Sequence, residues 1–214
     1  MENTIELLGT YGDDELHCLS AWCSTKRELT AERRGRMDKM LAVLAENEHE
    51  TPFEKSALHF LVTCDIASHI HLLKHRIGVS INAESARYKE LKEDKFYVPH
   101  DWPDDMQVAL IIAVEASQKR YHEFIAELVS RGMDRKRAKE SARYILPYAS
   151  QITQDVMFNW RSFSHFLRLR NTPHAQLEIR EIAREMLRLV EELPGAPFQY
   201  TIEAFRSIGG LGDA

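Results

Sequence analysis

The hydrophobic pattern changes period several times along the chain. Residues 3–9 (NTIELLG) predict a short opening strand, closed by Tyr11-Gly12-Asp13-Asp14. Helices are predicted over 14–24 and 30–46, the second carrying Met37, Met40, Leu41 and Leu44 at helical spacing. HETPFE (His49–Glu54) breaks the pattern, with Thr51-Pro52 expected to hold the chain extended. Branched and aromatic residues in 56–64 (SALHFLVTC) predict a buried strand, and 66–75 (IASHIHLLKH) returns to helical spacing. Residues 77–95 read as irregular, and Phe96-Tyr97-Val98-Pro99 as an edge strand or extended stop. A long amphipathic helix is predicted over 103–132, with Met106, Ala109, Leu110, Ala113, Ala116 and Tyr121 on its apolar face and Gly132 past its end. A helix over 134–145, a strand over 148–158 and helices over 159–169, 174–192 and 198–207 complete the chain. Pro173 is the start signal of the second of these helices and Pro194-Gly195 its stop. Helices outnumber strands without regular alternation, which predicts α+β rather than a doubly wound sheet. No Pro/Gly/Ser linker interrupts the chain, so residues 1–214 are expected to form a single domain.

Composition narrows this picture. The chain has 214 residues, 44% hydrophobic and 29% charged, enough for one domain with a real core. Its net charge of −5 argues against a general nucleic-acid binder, while leaving room for a local basic pocket. Cys18, Cys23 and Cys64 make an odd count, and MENTIELLGTYGDDE has no basic n-region or apolar run. Reduced thiols and a cytoplasmic setting are therefore expected. No window approaches the ~18 apolar residues of a membrane span, so no membrane association is expected.

Two polar clusters could carry chemistry. His75, Arg76, Ser80, Asn82, Ser85 and Arg87 sit within 13 residues directly after an apolar helix. Arginine forks and serine hydroxyls suit phosphate oxygens, so the cluster is either an anion site or a solvated loop. Arg161, His165 and Arg168 fall at spacings of four and three and share one helix face, with Asn159 and Arg170 at its ends. That face is either functional or the charged side of an amphipathic helix. His71 and His75 are four apart, as on a zinc helix, but no Glu follows His71 and no third ligand is evident. Each cysteine is expected to be packed and buried, without an activating partner. Neither G-x-G-x-x-G nor a P-loop occurs.

The segment His75-Arg76 … Ser80-Ile81-Asn82-Ala83-Glu84-Ser85-Ala86-Arg87-Tyr88 resembles the signature of the flavin-dependent thymidylate synthases (ThyX). Three further blocks are similar in the same order: His49–Glu54 (HETPFE), Ala142–Pro147 (ARYILP), and Asn159-Trp160-Arg161 through His165–Arg170 to His174-Ala175-Gln176 and Glu178-Ile179. Together they cover roughly residues 45–192.

The resemblance implies an α+β fold with helices flanking a small mixed sheet, and a homotetramer whose active sites are shared between subunits. It implies FAD as cofactor, NADPH as reductant and methylenetetrahydrofolate as one-carbon donor. The product is uracil methylated at C5, from dUMP or UMP, without a cysteine nucleophile. His49, Thr51, Glu54, Lys74, His75, Arg76, Asn159, Arg161 and His165 are implied on the flavin. His71, Lys74, Ser85, Ala86, Arg87 and Arg143 are implied on the nucleotide, and Arg170 at the uracil edge, where it favours ionised N3 and serves as the catalytic residue. This chain departs from the family at Lys74 (for Arg), His71 (for Gln) and Ala83 (for an acid, with Glu84 adjacent). It also has one extra residue in Ile77-Gly78-Val79, expected to be absorbed as a π-bulge or a loop. One branch of the family, in polyoxin-type antibiotic pathways, accepts the ribonucleotide, so the sugar is left open. Two other readings compete: a non-catalytic flavin- or nucleotide-binding homologue, and a metal-dependent hydrolase built on His71 and His75.

Overall fold

The computed structural model describes residues 2–85, 90 and 94–212. Four strands, β1 (Thr4–Tyr11), β2 (Ala57–Asp65), β3 (Val79–Ala83) and β4 (Gln151–Phe158), form one sheet in the order β1-β2-β4-β3. The helices are α1 (Asp14–Ala21), α2 (Ala31–Arg34), α3 (Met37–Glu46), α4 (Ile66–Leu72), α5 (Asp104–Ser130), α6 (Arg135–Ala142), α7 (Trp160–Arg170), α8 (Leu177–Glu191) and α9 (Gln199–Ser207). The α+β class is as expected. Strand directions, expected to be mixed, are antiparallel.

The chain clusters into two compact units. The first contains Met1–Thr4, Thr63–Leu72 and Asn82–Gln154, and the second Ile5–Val62, Leu73–Ile81 and Asp155–Ala214. Strands β2 and β4 each contribute residues to both.

In the first unit, the core gathers Tyr121, Ile125 and Ala142, with Phe124, Ile145 and Leu146 against it. The buried side of α5 is Val114, Gln118, Tyr121 and Ile125, at spacings of four, three and four. That differs from the expected face: Met106 is exposed, and of the anticipated residues Tyr121 alone is buried. Apolar residues surround this helix, so periodicity offered two faces, and packing of α6 and Arg143–Ile145 selected one.

The second unit has an aromatic core. Trp160 stacks on Phe198 at 5.5 Å, Phe53 meets Phe205 edge-on at 4.8 Å, and Phe60 lies 5.8 Å from Phe163. Such pairs add about 0.5–1.5 kcal/mol each beyond burial. Buried Asp14 caps α9, accepting from the backbone N–H groups of Tyr200 and Thr201 at 2.8 and 2.9 Å. His17 lies beside it, fully buried, with Nδ1 3.0 Å from the Thr201 hydroxyl.

Several local expectations are corrected. The predicted helix over 30–46 is interrupted at Gly35-Arg36 between α2 and α3. Thr51–Glu54 forms a 3-10 turn rather than an extended break, because Pro52 is tolerated in a first helical turn, where its missing N–H has no partner to lose. α4 stops at Leu72, before His75. Part of the segment read as irregular is strand β3. α8 begins at Leu177, four residues beyond Pro173.

Candidate functional site

The nine residues expected on the flavin side all fall in the second unit. The Schellman end of α3 sets the first of them. Glu48 adopts φ +56°, and its N–H and that of His49 reach back to the carbonyls of Ala45 and Leu44. The chain then turns through Thr51–Glu54, with Pro52 and Phe53 buried and His49 and Thr51 exposed.

Arg161 joins this turn to α7. Its Nε donates to Glu50 at 2.7 Å and its Nη1 to Glu54 at 2.6 Å. The Glu54 hydrogen bond, with that of Glu50, holds the guanidinium above its ordinary pKa. Glu50 is a member of the site that sequence reasoning missed. Its partner lies 111 residues away, and no local signal pairs them. Asn159 caps α7, its side-chain oxygen accepting from Ser162 N–H at 2.8 Å.

The segment that carries Lys74, His75 and Arg76 is tied to α7 by a second route, through Gly78. Gly78 adopts φ +69°, and its carbonyl accepts from the Ser162 hydroxyl at 2.8 Å and from Asn159 N–H at 3.3 Å. A Cβ at Gly78 would stand 2.8 Å from the Asn159 side-chain nitrogen. Ile77-Gly78, in the segment where the resemblance implies one residue more than usual, thus forms a turn at glycine that leads into β3. Gly78 and Ser162 are positioning residues that the sequence reading did not single out.

His75 is buried against Phe166, whose ring it meets edge-on at 5.0 Å, and its ring lies 6.0 Å from that of His165. Arg170, at the last turn of α7, donates from Nε to His75 Nε2 at 3.1 Å. The imidazole therefore accepts at Nε2 and, when neutral, carries its proton on Nδ1. Burial lowers the Arg170 pKa, and no carboxylate among the described residues pairs with it. The two arginines at either end of α7 thus differ: Arg161 is neutralised by two acids and Arg170 is not. Lys74, Arg76 and Arg168 are exposed and have no ion pair among the described residues.

The nucleotide-side residues divide differently. His71, Ser85 and Arg143 lie in the first unit, while Lys74 and Arg170 lie in the second. His71 is half-buried on α4, and Arg143 is exposed where α6 passes into its final 3-10 turn. Ala86 and Arg87 lie outside the described residues. Ser80 and Asn82 share the exposed face of strand β3. Glu84 is tied to β4: its backbone N–H donates to Thr153 O at 2.8 Å, and its carboxylate accepts from Thr153 N–H at 2.9 Å. Both its backbone and its carboxylate are thus engaged with the neighbouring strand.

The cysteines and histidines offer less chemistry. Burial pushes the Cys18 and Cys64 thiols up to about 12, which leaves almost no thiolate at neutral pH. Cys23, expected to be buried, is exposed. His71 and His75 do not share a helix face, because α4 ends between them. Among the described residues, no group of three or more His, Cys, Asp or Glu is placed to hold a metal ion, and no helix is long and apolar enough to cross a membrane.

Residues 6–195 match the family described as thymidylate synthase complementing protein. A flavin-dependent thymidylate synthase from Pseudothermotoga lettingae is 33% identical over 204 residues, covering 92% of this chain and 87% of that protein. One from Thermosipho africanus is 30% identical over 224 residues, covering 98% and 93%. Among solved structures, the UMP/dUMP methylase PolB from Streptomyces cacaoi bound with 5-Br dUMP has a TM-score of 0.81 at 28% identity, with 98% of this chain and 97% of that chain covered. The same enzyme bound with 5-Br UMP gives 0.74 at 25% identity, with 99% and 97% covered.

Proposed function

The chain belongs to the thymidylate synthase complementing protein family, and we propose that it is a flavin-dependent enzyme that methylates carbon 5 of uracil in dUMP, UMP or both. The observation that carries this reading is the state of Arg170: half-buried, held by His75 and without a carboxylate partner among the described residues. Such a guanidinium is preorganised for an anion. Placed at the uracil edge, it favours ionised N3. That ionisation raises electron density in the ring and makes C5 the nucleophile without a thiolate. The C5 proton is then released as the new carbon bond forms.

The donor set of the second unit suits a flavin dinucleotide. Lys74, Arg76 and Arg168 offer uncompensated positive charge for a diphosphate. Asn159, Thr51, His49 and His165 offer polar groups, and Gly78 lets its loop lie directly against Asn159 and Ser162. Arg161, with Glu50 and Glu54, fixes the Thr51–Glu54 turn against α7 and so acts by positioning. Bound FAD would supply the reducing equivalents that turn the transferred one-carbon unit into a methyl group. NADPH and methylenetetrahydrofolate are the co-substrates in this reading. His71, Ser85, Ala86, Arg87 and Arg143, with Lys74, are assigned to the nucleotide and its phosphate, in a homotetramer whose sites draw on more than one subunit. A cytoplasmic setting accords with these co-substrates.

The test is tritium release from 5-tritiated UMP and dUMP, run side by side with FAD, NADPH and methylenetetrahydrofolate. Release from either substrate is expected, and the ratio assigns the sugar. Flavin binding with no release from either would overturn the reading in favour of a non-catalytic homologue.

A further inference from the structure

We propose that a cleft in the second unit, opening beside Glu54, binds the anionic end of an aromatic co-substrate; the inference rests on the reaction proposed above. The cleft encloses about 470 Å³, within the roughly 300–1,000 Å³ of small-molecule sites. Its lining includes Tyr11, Ser20, Cys23, Arg27, Glu54 and Lys55.

The charges around it are unequal in a telling way. Lys26 is paired with Glu28 at 2.5 Å, and Arg34 is paired with Glu15. Arg33 lies over the Trp22 ring at 4.9 Å and donates to the carbonyls of Lys26 and Glu28 at 2.5 and 3.0 Å. Those carbonyls belong to the two neighbours of Arg27, so Arg33 fixes the backbone that presents Arg27. Arg27 itself has no ion pair among the described residues, and neither does Lys55. The one acid among the described lining residues, Glu54, is engaged by Arg161. Two uncompensated cations therefore face one cleft.

The remaining walls fit the same ligand. Tyr11 is 66% exposed and offers a ring to stack on, and Ser20 offers a hydroxyl. Gly12, at φ +89°, lets the end of β1 lie directly on Lys55-Ser56: a Cβ there would stand 3.0 Å from Lys55 O and 3.1 Å from Ser56 Cα. This close approach holds Tyr11 and Lys55 together. An aromatic molecule ending in a phosphate or in carboxylates meets all of these groups. The reaction offers two such molecules, a phosphorylated nicotinamide dinucleotide and a folate with its glutamate tail.

Cys23 reports on the cleft, because the other two cysteines are buried. The experiment follows the rate of maleimide labelling of the full, FAD-loaded chain, with Cys23→Ser as the blank. One arm adds 2′,5′-ADP, a second a pteroyl-triglutamate, a third inorganic phosphate. Slower labelling with one of the first two, and not with phosphate, is expected and identifies the source. In the Arg27→Glu/Lys55→Glu double variant, that protection should weaken by about tenfold or more. Unchanged labelling with both organic probes, equal protection by inorganic phosphate, or undiminished protection in the double variant would each overturn the proposal. Labelling does not require turnover. Protection without tritium release would leave this site standing and remove the methylation reading; release without protection would do the reverse.

Discussion

Arg170 donates from Nε to Nε2 of His75 across 3.1 Å, joining the last turn of α7 to a histidine 95 residues earlier in the chain. The contact fixes the guanidinium without neutralising it. Phe166 and the burial of His75 keep the ring from rotating away. Removing either partner therefore has a different consequence from removing a surface charge.

Arg170→Ala is expected to lower methylation by about 10²–10³-fold, the loss typical of one preorganised donor at a developing anion. Flavin should remain bound, because Arg170 is assigned to the nucleotide. Turnover with retained flavin colour is the measurement. Turnover within a few-fold of the parent would take Arg170 out of its role.

Arg161→Ala is expected to weaken flavin retention more than it weakens folding. Glu50 and Glu54 are left facing each other without their common partner, and the Thr51–Glu54 turn loses its tie to α7. Both acids are about a third exposed, so the stability change should be about 1 kcal/mol or less. Equilibrium dialysis of FAD and a urea melt separate the two effects. Arg161→Lys should not restore binding fully, since a single ammonium does not reproduce the two-pronged geometry.

Gly78→Ala is expected to cost about 1–3 kcal/mol. The backbone sits at φ +69°, and the new methyl would press on the Asn159 side chain that caps α7. The melting midpoint should fall, and FAD retention should fall with it because Asn159 must move. An unchanged midpoint would show that the loop relaxes freely.

Stability should decline as pH falls from about 6.5 toward 3. Burial lowers the His17 pKa to about 3, whereas the unfolded imidazole titrates near 6.5. Between these values the unfolded chain binds the extra proton, so the stabilisation is present above 6.5 and is lost progressively below it. Asp14 acts in the opposite sense. Its burial raises its pKa despite hydrogen bonds from Thr201 and Tyr200, so its contribution weakens as pH rises above its ordinary value. Above the part of this range where Asp14 titrates, urea midpoints should therefore rise with pH. His17→Leu should flatten that slope; an unaltered slope would assign it to other groups.

Double replacement of Cys18 and Cys64 by serine should leave methylation per folded molecule unchanged. With thiol pKa values pushed up to about 12, neither residue supplies a nucleophile at neutral pH. Abolition of turnover in a variant that still folds and binds flavin would restore a thiolate mechanism.

Much was legible from the sequence alone. The strands near 4–11, 57–65 and 151–158, the long α5 and the helical C-terminal third follow from periodicity and from Gly/Pro punctuation, which act over a few residues. The ordered blocks from HETPFE to the last arginine of α7 identified the family, because most of their residue types and spacings are kept and the blocks follow one another in the same order. The tertiary structure decided what depends on distant partners. It chose the Val114–Ile125 face of a helix that is apolar on several sides. It made Val79–Ala83 a strand by supplying β4 as a neighbour, where a polar segment with a glycine gave no local reason to expect one. It neutralised Arg161 with acids more than 100 residues away while leaving Arg170 on a histidine. Local spacing determines which residue types lie together on a helix face. Whether a charge there is cancelled, or left available for a ligand, depends on side chains that only folding brings within hydrogen-bond range.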